Sequence, residues 1–260
     1  MDIKDVALQA KAFGTKLDTF KRQIAPAEFG WYPYGTLDNF YLLSQLLTGR
    51  NRHLLELAGD APIADIGAAD GDTAFFVESM GFRAHAVDYP PTNYNGCRGV
   101  RLLKERLKSS VTIHEADLDS RFDLPGEQYG LAFFLGILYH LKNPYNALES
   151  LARCARHAVL STRVARYNLA PRASGQDGVN RSRVDLDSVP VAYLVAPHET
   201  NNDPTNFWIF SDAGLKRLLD RTGWDVLDFT TFGNNEASDP ATSAGDQRAF
   251  CLIRSRHFPA

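Results

Sequence analysis

Asp65, Gly67 and Gly71 stand within Pro62-Ile-Ala-Asp-Ile-Gly-Ala-Ala-Asp-Gly71, and Asp88 ends the next apolar run. A short apolar stretch, a glycine turn and a following amphipathic segment read as a buried strand leading into a helix. Gly67 and Gly71 let the backbone approach a bound molecule that a larger side chain would block. An acid about twenty residues further on is placed to accept hydrogen bonds from ribose hydroxyls. The combination predicts a nucleoside-containing cofactor. A dinucleotide fingerprint would space its glycines G-x-G-x-x-G to receive a pyrophosphate. Here the spacing is Asp65-x-Gly67-x-x-x-Gly71, with Ala69 inside it. An acid before the first glycine repels a pyrophosphate and suits a cofactor carrying an ammonium group. Asp117, after a third strand, is placed to accept from an adenine amino group. Ala68, Leu118 and Leu135 complete the expected cofactor contacts. These details favour S-adenosyl-L-methionine and disfavour NAD.

The elements that must hold these groups alternate along the chain. Ile63–Ile66, Arg83–Val87, Val111–His114, Leu131–Leu135 and Ala158–Thr162 read as strands. Thr73–Met80, Val100–Leu107 and Asn146–Ala155 read as the helices between them. Such alternation predicts an α/β, doubly wound, mostly parallel seven-stranded sheet, Rossmann-like, with helices on both faces. Trp224–Phe232 and Ala249–Ile253 supply the final pair, the last strand antiparallel. Ser211 caps a helix running to Arg221 and Gly223 closes it. Residues 61–260 form the main domain, interrupted by an insertion at about 163–206. Residues 1–60 form an N-terminal helical and aromatic cap. Within it Val6, Ala10, Phe13, Leu17, Phe20 and Ile24 make one helical stripe, with Lys11, Lys16, Lys21 and Arg22 off it. That stripe suits packing on the domain's side, a homodimer seam or a lid. Asp38–Thr48 reads as a second helix with Gly49 at its C′ position. Between the two, Phe29-Gly-Trp-Tyr-Pro-Tyr-Gly35 is either a hydrophobic plug or a pocket wall. In the second reading Trp31, Tyr32 and Tyr34 cover a sulfonium, which aromatic faces attract.

From Pro62 to Thr162, and again from Phe207 to Arg254, the chain resembles the class I S-adenosylmethionine-dependent methyltransferases. Phe134-Leu-Gly-Ile-Leu-Tyr-His-Leu-Lys-Asn-Pro144, Asn206-Phe-Trp-Ile-Phe-Ser211 and Gln247-Arg-Ala-Phe-Cys-Leu-Ile253 are similar to motifs of the bacterial tRNA wobble-uridine carboxymethyltransferase and its relatives. That resemblance implies that Tyr139 and Arg248 lie where an extra carboxylate of a carboxylated cofactor would be held. The plain cofactor is nevertheless the one expected. The lysines and tryptophan that this family carries upstream of its core are not reproduced, Trp31 being the one candidate.

His140, beside Tyr139 at the end of the fourth strand, faces the transferable methyl in this architecture. It is a candidate base, or a structural group bonding a backbone carbonyl. Tyr32, Tyr139, Arg163, Asn206 and Arg248 are the expected contacts to a polar or anionic acceptor. Arg153, Arg156, Arg163, Arg166, Arg172, Arg181 and Arg183 face one acid, Asp177, in the same stretch. Such a cluster beside an active-site mouth suits phosphate or carboxylate. The Glu199–Asn206 run adds amides and acids for a polar substrate. Methyl transfer to an oxygen or nitrogen of a small polar molecule is the first expectation. Methyl or carboxymethyl transfer to tRNA, and an inactive cofactor-binding partner subunit, are the alternatives.

Composition narrows the field further. Hydrophobic residues at 44% and charged ones at 23% are ordinary for a globular chain, and a net charge of −3 gives no global nucleic-acid signature. Cys97, Cys154 and Cys251 follow no metal-ligand spacing and suit a reducing, cytoplasmic setting. The histidines show no ligand spacing either, so no metal is expected. No apolar run is long enough to span a membrane.

Overall fold

Tyr129-Gly-Leu-Ala-Phe-Phe-Leu135 is apolar throughout, and it forms the central strand of a seven-stranded sheet. The computed structural model describes residues 1–24, 26, 28–120, 128–169, 183–242, 245 and 247–259. In chain order the strands of this sheet are β1 (Ile63–Ile66), β2 (Ala84–Asp88), β3 (Thr112–Glu115), β4 (Tyr129–Leu135), β5 (Ala155–Arg163), β10 (Trp224–Phe232) and β11 (Arg248–Ser255). Their spatial order is β10-β11-β5-β4-β1-β2-β3, and β11 alone runs antiparallel to its neighbours. The winding reverses between β1 and β4, so their carboxyl ends flank the crevice where ligands bind in such sheets. Four short strands outside it form two pairs: β6 (Tyr167–Leu169) with β7 (Arg183–Asp185), and β8 (Ala192–Leu194) with β9 (Trp208–Phe210).

Both faces of the sheet are covered. Ile63, Leu131, Phe133, Val159 and Phe250 pack against α1 (Ile3–Gln23), α2 (Asn39–Leu46), α3 (Asp72–Ser79) and α4 (Arg98–Leu107). Ala64, Ile66, Phe134, Leu160 and Cys251 face the other way, onto α5 (Pro144–Cys154) and α6 (Asp212–Arg221). Alternation along each strand produces this split. The stripe on α1 packs on the domain's side. Val6, Ala10 and Leu17 are buried in the first of these cores, with Phe13, Phe20 and Ile24 against it. Asp2 caps α1 by accepting from the Lys4 amide at 2.9 Å. The hydrogen bond from Arg52 holds its carboxyl down at about 2.

Two expectations shift. Gly49 does not close α2, whose C-cap is Leu47; it begins a separate 3-10 turn, Gly49–Arg52. Lys21, expected off the buried stripe, is 6% exposed. Its ammonium reaches Asp72 at 2.8 Å and Asp70 at 3.2 Å, so burial follows from two carboxylate partners. Among the described residues no helix is long and apolar enough to cross a membrane.

Candidate functional site

The turn after β1 shows why glycine stands where it does. Gly67 has φ +71°, and a Cβ there would lie 1.7 Å from Ile137 Cδ1. Gly71, at φ +85°, is the N-cap of α3, and its missing Cβ leaves room for Val100 and Phe75. Ala68 is buried within the same turn, and Ala69 adopts a left-handed conformation at φ 52°. Asp88 spans the turn. One of its oxygens accepts from the Ala69 amide at 2.7 Å and from Asn93 at 2.9 Å, the other from the Tyr89 amide at 2.7 Å. Burial pushes its carboxyl up, against those hydrogen bonds. Asp65 is 8% exposed and accepts the Ala74 amide at 3.2 Å. Burial, with Asp88 and Asp72 nearby, pushes its carboxyl up to about 8.

Asp70 was not singled out by the sequence, yet it joins four segments. It is 2% exposed and takes Lys21 from α1, the Tyr32 amide at 2.8 Å and Asn95 at 2.7 Å. The aromatic loop is thereby pinned to the glycine turn. Its rings divide the two roles offered for it. Trp31 donates its indole N–H to the Lys21 carbonyl at 3.2 Å and packs on the core with Phe29 edge-on. Tyr32 and Tyr34 instead contact each other and face a cavity.

That cavity, of about 660 Å³, opens at the carboxyl ends of β4 and β5. Tyr32, Tyr34, Leu135, Tyr139, His140, Arg163 and Arg248 of the expected site line it, as do Ser161 and Asn201 to Pro204. Burial pushes the Tyr32 phenol up to about 12, with Tyr139 and Tyr34 adding to the rise and Arg248 opposing it. Arg248 and Arg163 are paired across β11 and β5, which puts both on one sheet face. The Arg163 guanidinium lies 5.6 Å from the Tyr139 ring centroid and donates to the Gly245 carbonyl. Arg248 has no hydrogen-bond or ion-pair partner among the described residues. Among the described residues Asp203 is the one acid of the lining, beside Arg163 and Arg248.

Some expected contacts lie elsewhere. Trp31 is not among the lining residues, because its N–H and ring are held by α1. Asn206 is 2% exposed and donates to the Thr200 carbonyl at 2.7 Å, bracing the loop that carries Asn201 and Asn202. The Asp117 carboxylate closes its own turn, accepting from the Asp119 amide at 3.0 Å and the Ser120 hydroxyl at 2.6 Å. The Ser120 bond lowers its pKa. Leu118 is buried beside it. Arg166 and Arg183 pair with acids, Asp187 and Asp212 for the first, Asp185 and Glu236 for the second. Arg172, Arg181 and Asp177 lie outside the described residues.

No model of a known protein family and no curated relative matches the chain. Solved structures do. The N-terminal domain of EvdMO1 with SAH bound superposes at TM-score 0.53 with 16% identity, over 98% of this chain and 97% of that one. PH0226 protein from Pyrococcus horikoshii OT3 gives TM-score 0.51 at 12% identity, over 91% and 98%. The glycopeptide N-methyltransferase MtfA complexed with sinefungin gives 0.50 at 15%, over 78% and 91%. With the strand order, the antiparallel β11 and the glycine turn, these likenesses identify the chain's architecture as the Rossmann-like class I methyltransferase fold.

Proposed function

We propose that this protein is an S-adenosyl-L-methionine-dependent methyltransferase acting on an oxygen or nitrogen of a polar, anionic small molecule. The observation that carries the reading is that Asp70, in the Asp65–Gly71 turn beside Asp88, holds the amide of Tyr32, which lines the cavity at the carboxyl ends of β4 and β5. The residues fit the cofactor. Asp88 Oδ1 has one partner and keeps a lone pair for a ribose hydroxyl. Asp65, held largely neutral by burial, gains most from an arriving ammonium group. Lys21, the buried cation beside the turn, is paired with Asp70 and Asp72, and the acids at the turn repel a pyrophosphate. Tyr32 and Tyr34, both of the cavity wall, supply aromatic rings to which a sulfonium is attracted. The cofactor, when bound, supplies an electrophilic methyl group. The chain's own residues orient the acceptor and exclude water from it. Arg248, with Arg163 beside it, is the group on which an acceptor carboxylate would seat.

Structures bound to SAH and to sinefungin among the similar folds support the cofactor reading. Calorimetry tests it directly. S-adenosylmethionine should bind the purified protein, and Asp88→Asn should weaken binding about 10–100-fold through loss of a charge-assisted ribose contact. No binding, or equal binding by a folded Asp88→Asn protein, refutes the proposal.

A further inference from the structure

Among the described residues, hydrogen bonds reach the His140 ring only at Nδ1. That atom lies 3.0 Å from the main-chain oxygen of Thr205 and 3.0 Å from the Thr205 Oγ1. A carbonyl oxygen can only accept, so Nδ1 carries the proton. The Thr205 hydroxyl directs its own proton to Asp203 Oδ1 at 2.6 Å, and the same oxygen accepts the Thr205 amide at 2.9 Å. Oγ1 is thus oriented as a second acceptor for Nδ1–H. Asp203 orders Thr205, and Thr205 orders the imidazole. The ring also lies against Tyr139, with centroids 4.2 Å apart. Nε2 is left with its lone pair. His140 and Asp203 both line the cavity that holds Arg163 and Arg248.

We propose that Asp203 and Thr205 are positioning residues that fix His140 as a proton acceptor, and that the methyl acceptor is therefore a neutral hydroxyl. The inference rests on the methyltransferase reading above and specifies its acceptor atom. An amine can attack as its free base and lose a proton to water afterwards. A hydroxyl gains from losing its proton as the new bond forms, and this is what a positioned base supplies. As the acceptor O–H breaks, its proton bonds to Nε2 and its oxygen bonds to the methyl carbon. The pair from the broken carbon–sulfur bond stays on sulfur. The resulting imidazolium faces Asp203 through Thr205 and releases its proton to solvent. Burial lowers the imidazole pKa below its ordinary value, Arg163 and Arg248 lower it further, and the Thr205 carbonyl and Asp203 raise it. At neutral pH the ring is accordingly in the form that accepts a proton.

The first readout needs no acceptor. Long-range proton–nitrogen correlation spectra of the ¹⁵N-labelled protein, with His140→Gln to assign the signals, report which ring nitrogen is protonated. The expected result is a protonated Nδ1, a bare Nε2 and a titration midpoint below that of a free histidine. Asp203→Asn should move that midpoint down by about one pH unit, because the imidazolium loses its nearest anion. Thr205→Val should keep the tautomer through the carbonyl and move the midpoint down by less, since Asp203 stays and only the Oγ1 acceptor is lost. A proton on Nε2, or a midpoint indifferent to both changes in folded protein, overturns the relay. With hydroxy acids and the matching amino acids as acceptors, methylation should fall on the hydroxyl. The acid limb of kcat/KM should follow the His140 midpoint into Asp203→Asn, and His140→Gln should lose about 10²–10⁴-fold. Methylation at nitrogen, or a pH profile unchanged by either variant, overturns the acceptor assignment. Absence of cofactor binding would instead remove the reading beneath it, so the two failures are told apart.

Discussion

Asp65 shows how one side chain couples the glycine turn to folding. Its carboxyl ordinarily titrates near 3.8 and is pushed up to about 8 by burial. A folded-state pKa raised above the unfolded one means that the proton favours the native state. Its contribution is fully present below about 3.8 and is lost as the pH rises to about 8. Asparagine has no proton to lose and can still accept the Ala74 amide. Asp65→Asn should therefore raise unfolding stability at pH 8, on the order of 1–3 kcal/mol, and change it little at pH 4. Denaturant midpoints at the two pH values measure this; an equal change at both would show that ionisation is not the cause. Asp65, Gly67, Gly71 and Asp88 were legible in sequence because each answers to local spacing between a strand and the next turn. Asp70, and the link from Asp203 through Thr205 to His140, were not. Their importance comes from partners 49 residues away for Lys21 and Asp70, and from a histidine 65 residues from Thr205. Spacing carries no record of such contacts.

At the scale of elements, α1 is joined to the glycine turn by charge as well as by its apolar stripe. Lys21 stands between Asp70 and Asp72 and 5.4 Å from the Trp31 ring centroid. Burial raises the Asp72 pKa, and Lys21 opposes that rise. Lys21→Met would leave two buried carboxylates without their cation and should cost about 3–5 kcal/mol. Adding Asp70→Asn and Asp72→Asn to it should recover much of that loss, since the uncompensated charge is then gone. Equal instability of the single and triple variants in urea would assign the effect to packing. The seven strands of the sheet and the helices were readable because their periodicity and caps are local, and their boundaries moved by only a few residues; the short pairs β6–β7 and β8–β9 were not, having three residues each and no periodicity to read. Lys21 misled for a general reason. A lysine off an apolar stripe reads as solvated until tertiary structure brings acids to it. The aromatic loop had two readings in sequence because its rings separate only after Asp70 fixes the Tyr32 amide, sending Trp31 inward and Tyr32 and Tyr34 to the cavity.

The molecule as a whole joins residues 1–60 to the sheet through one hydrophobic core. Ile3, Val6, Phe40, Leu43 and Leu54 belong to the same buried cluster as Ile63, Leu131, Phe133 and Phe250. Removing α1 would expose the sides of α2 and α3 that it covers, and a fully buried aliphatic side chain contributes about 1.5–3 kcal/mol. The expectation is that cap and sheet unfold together as one cooperative unit. Tryptophans sit where this can be read. Trp31 reports on the cap, while Trp224, 1% exposed with its N–H on the Leu148 carbonyl at 3.1 Å, reports on the opposite face of the sheet. A variant keeping Trp31 alone (Trp208→Phe, Trp224→Phe) and one keeping Trp224 alone (Trp31→Phe, Trp208→Phe) should each show fluorescence and far-ultraviolet dichroism transitions that coincide. A Trp31 transition preceding the dichroism of the same variant would show a cap that detaches first. Coincidence in both would mean that the cap has no unfolding transition of its own, as one shared core requires.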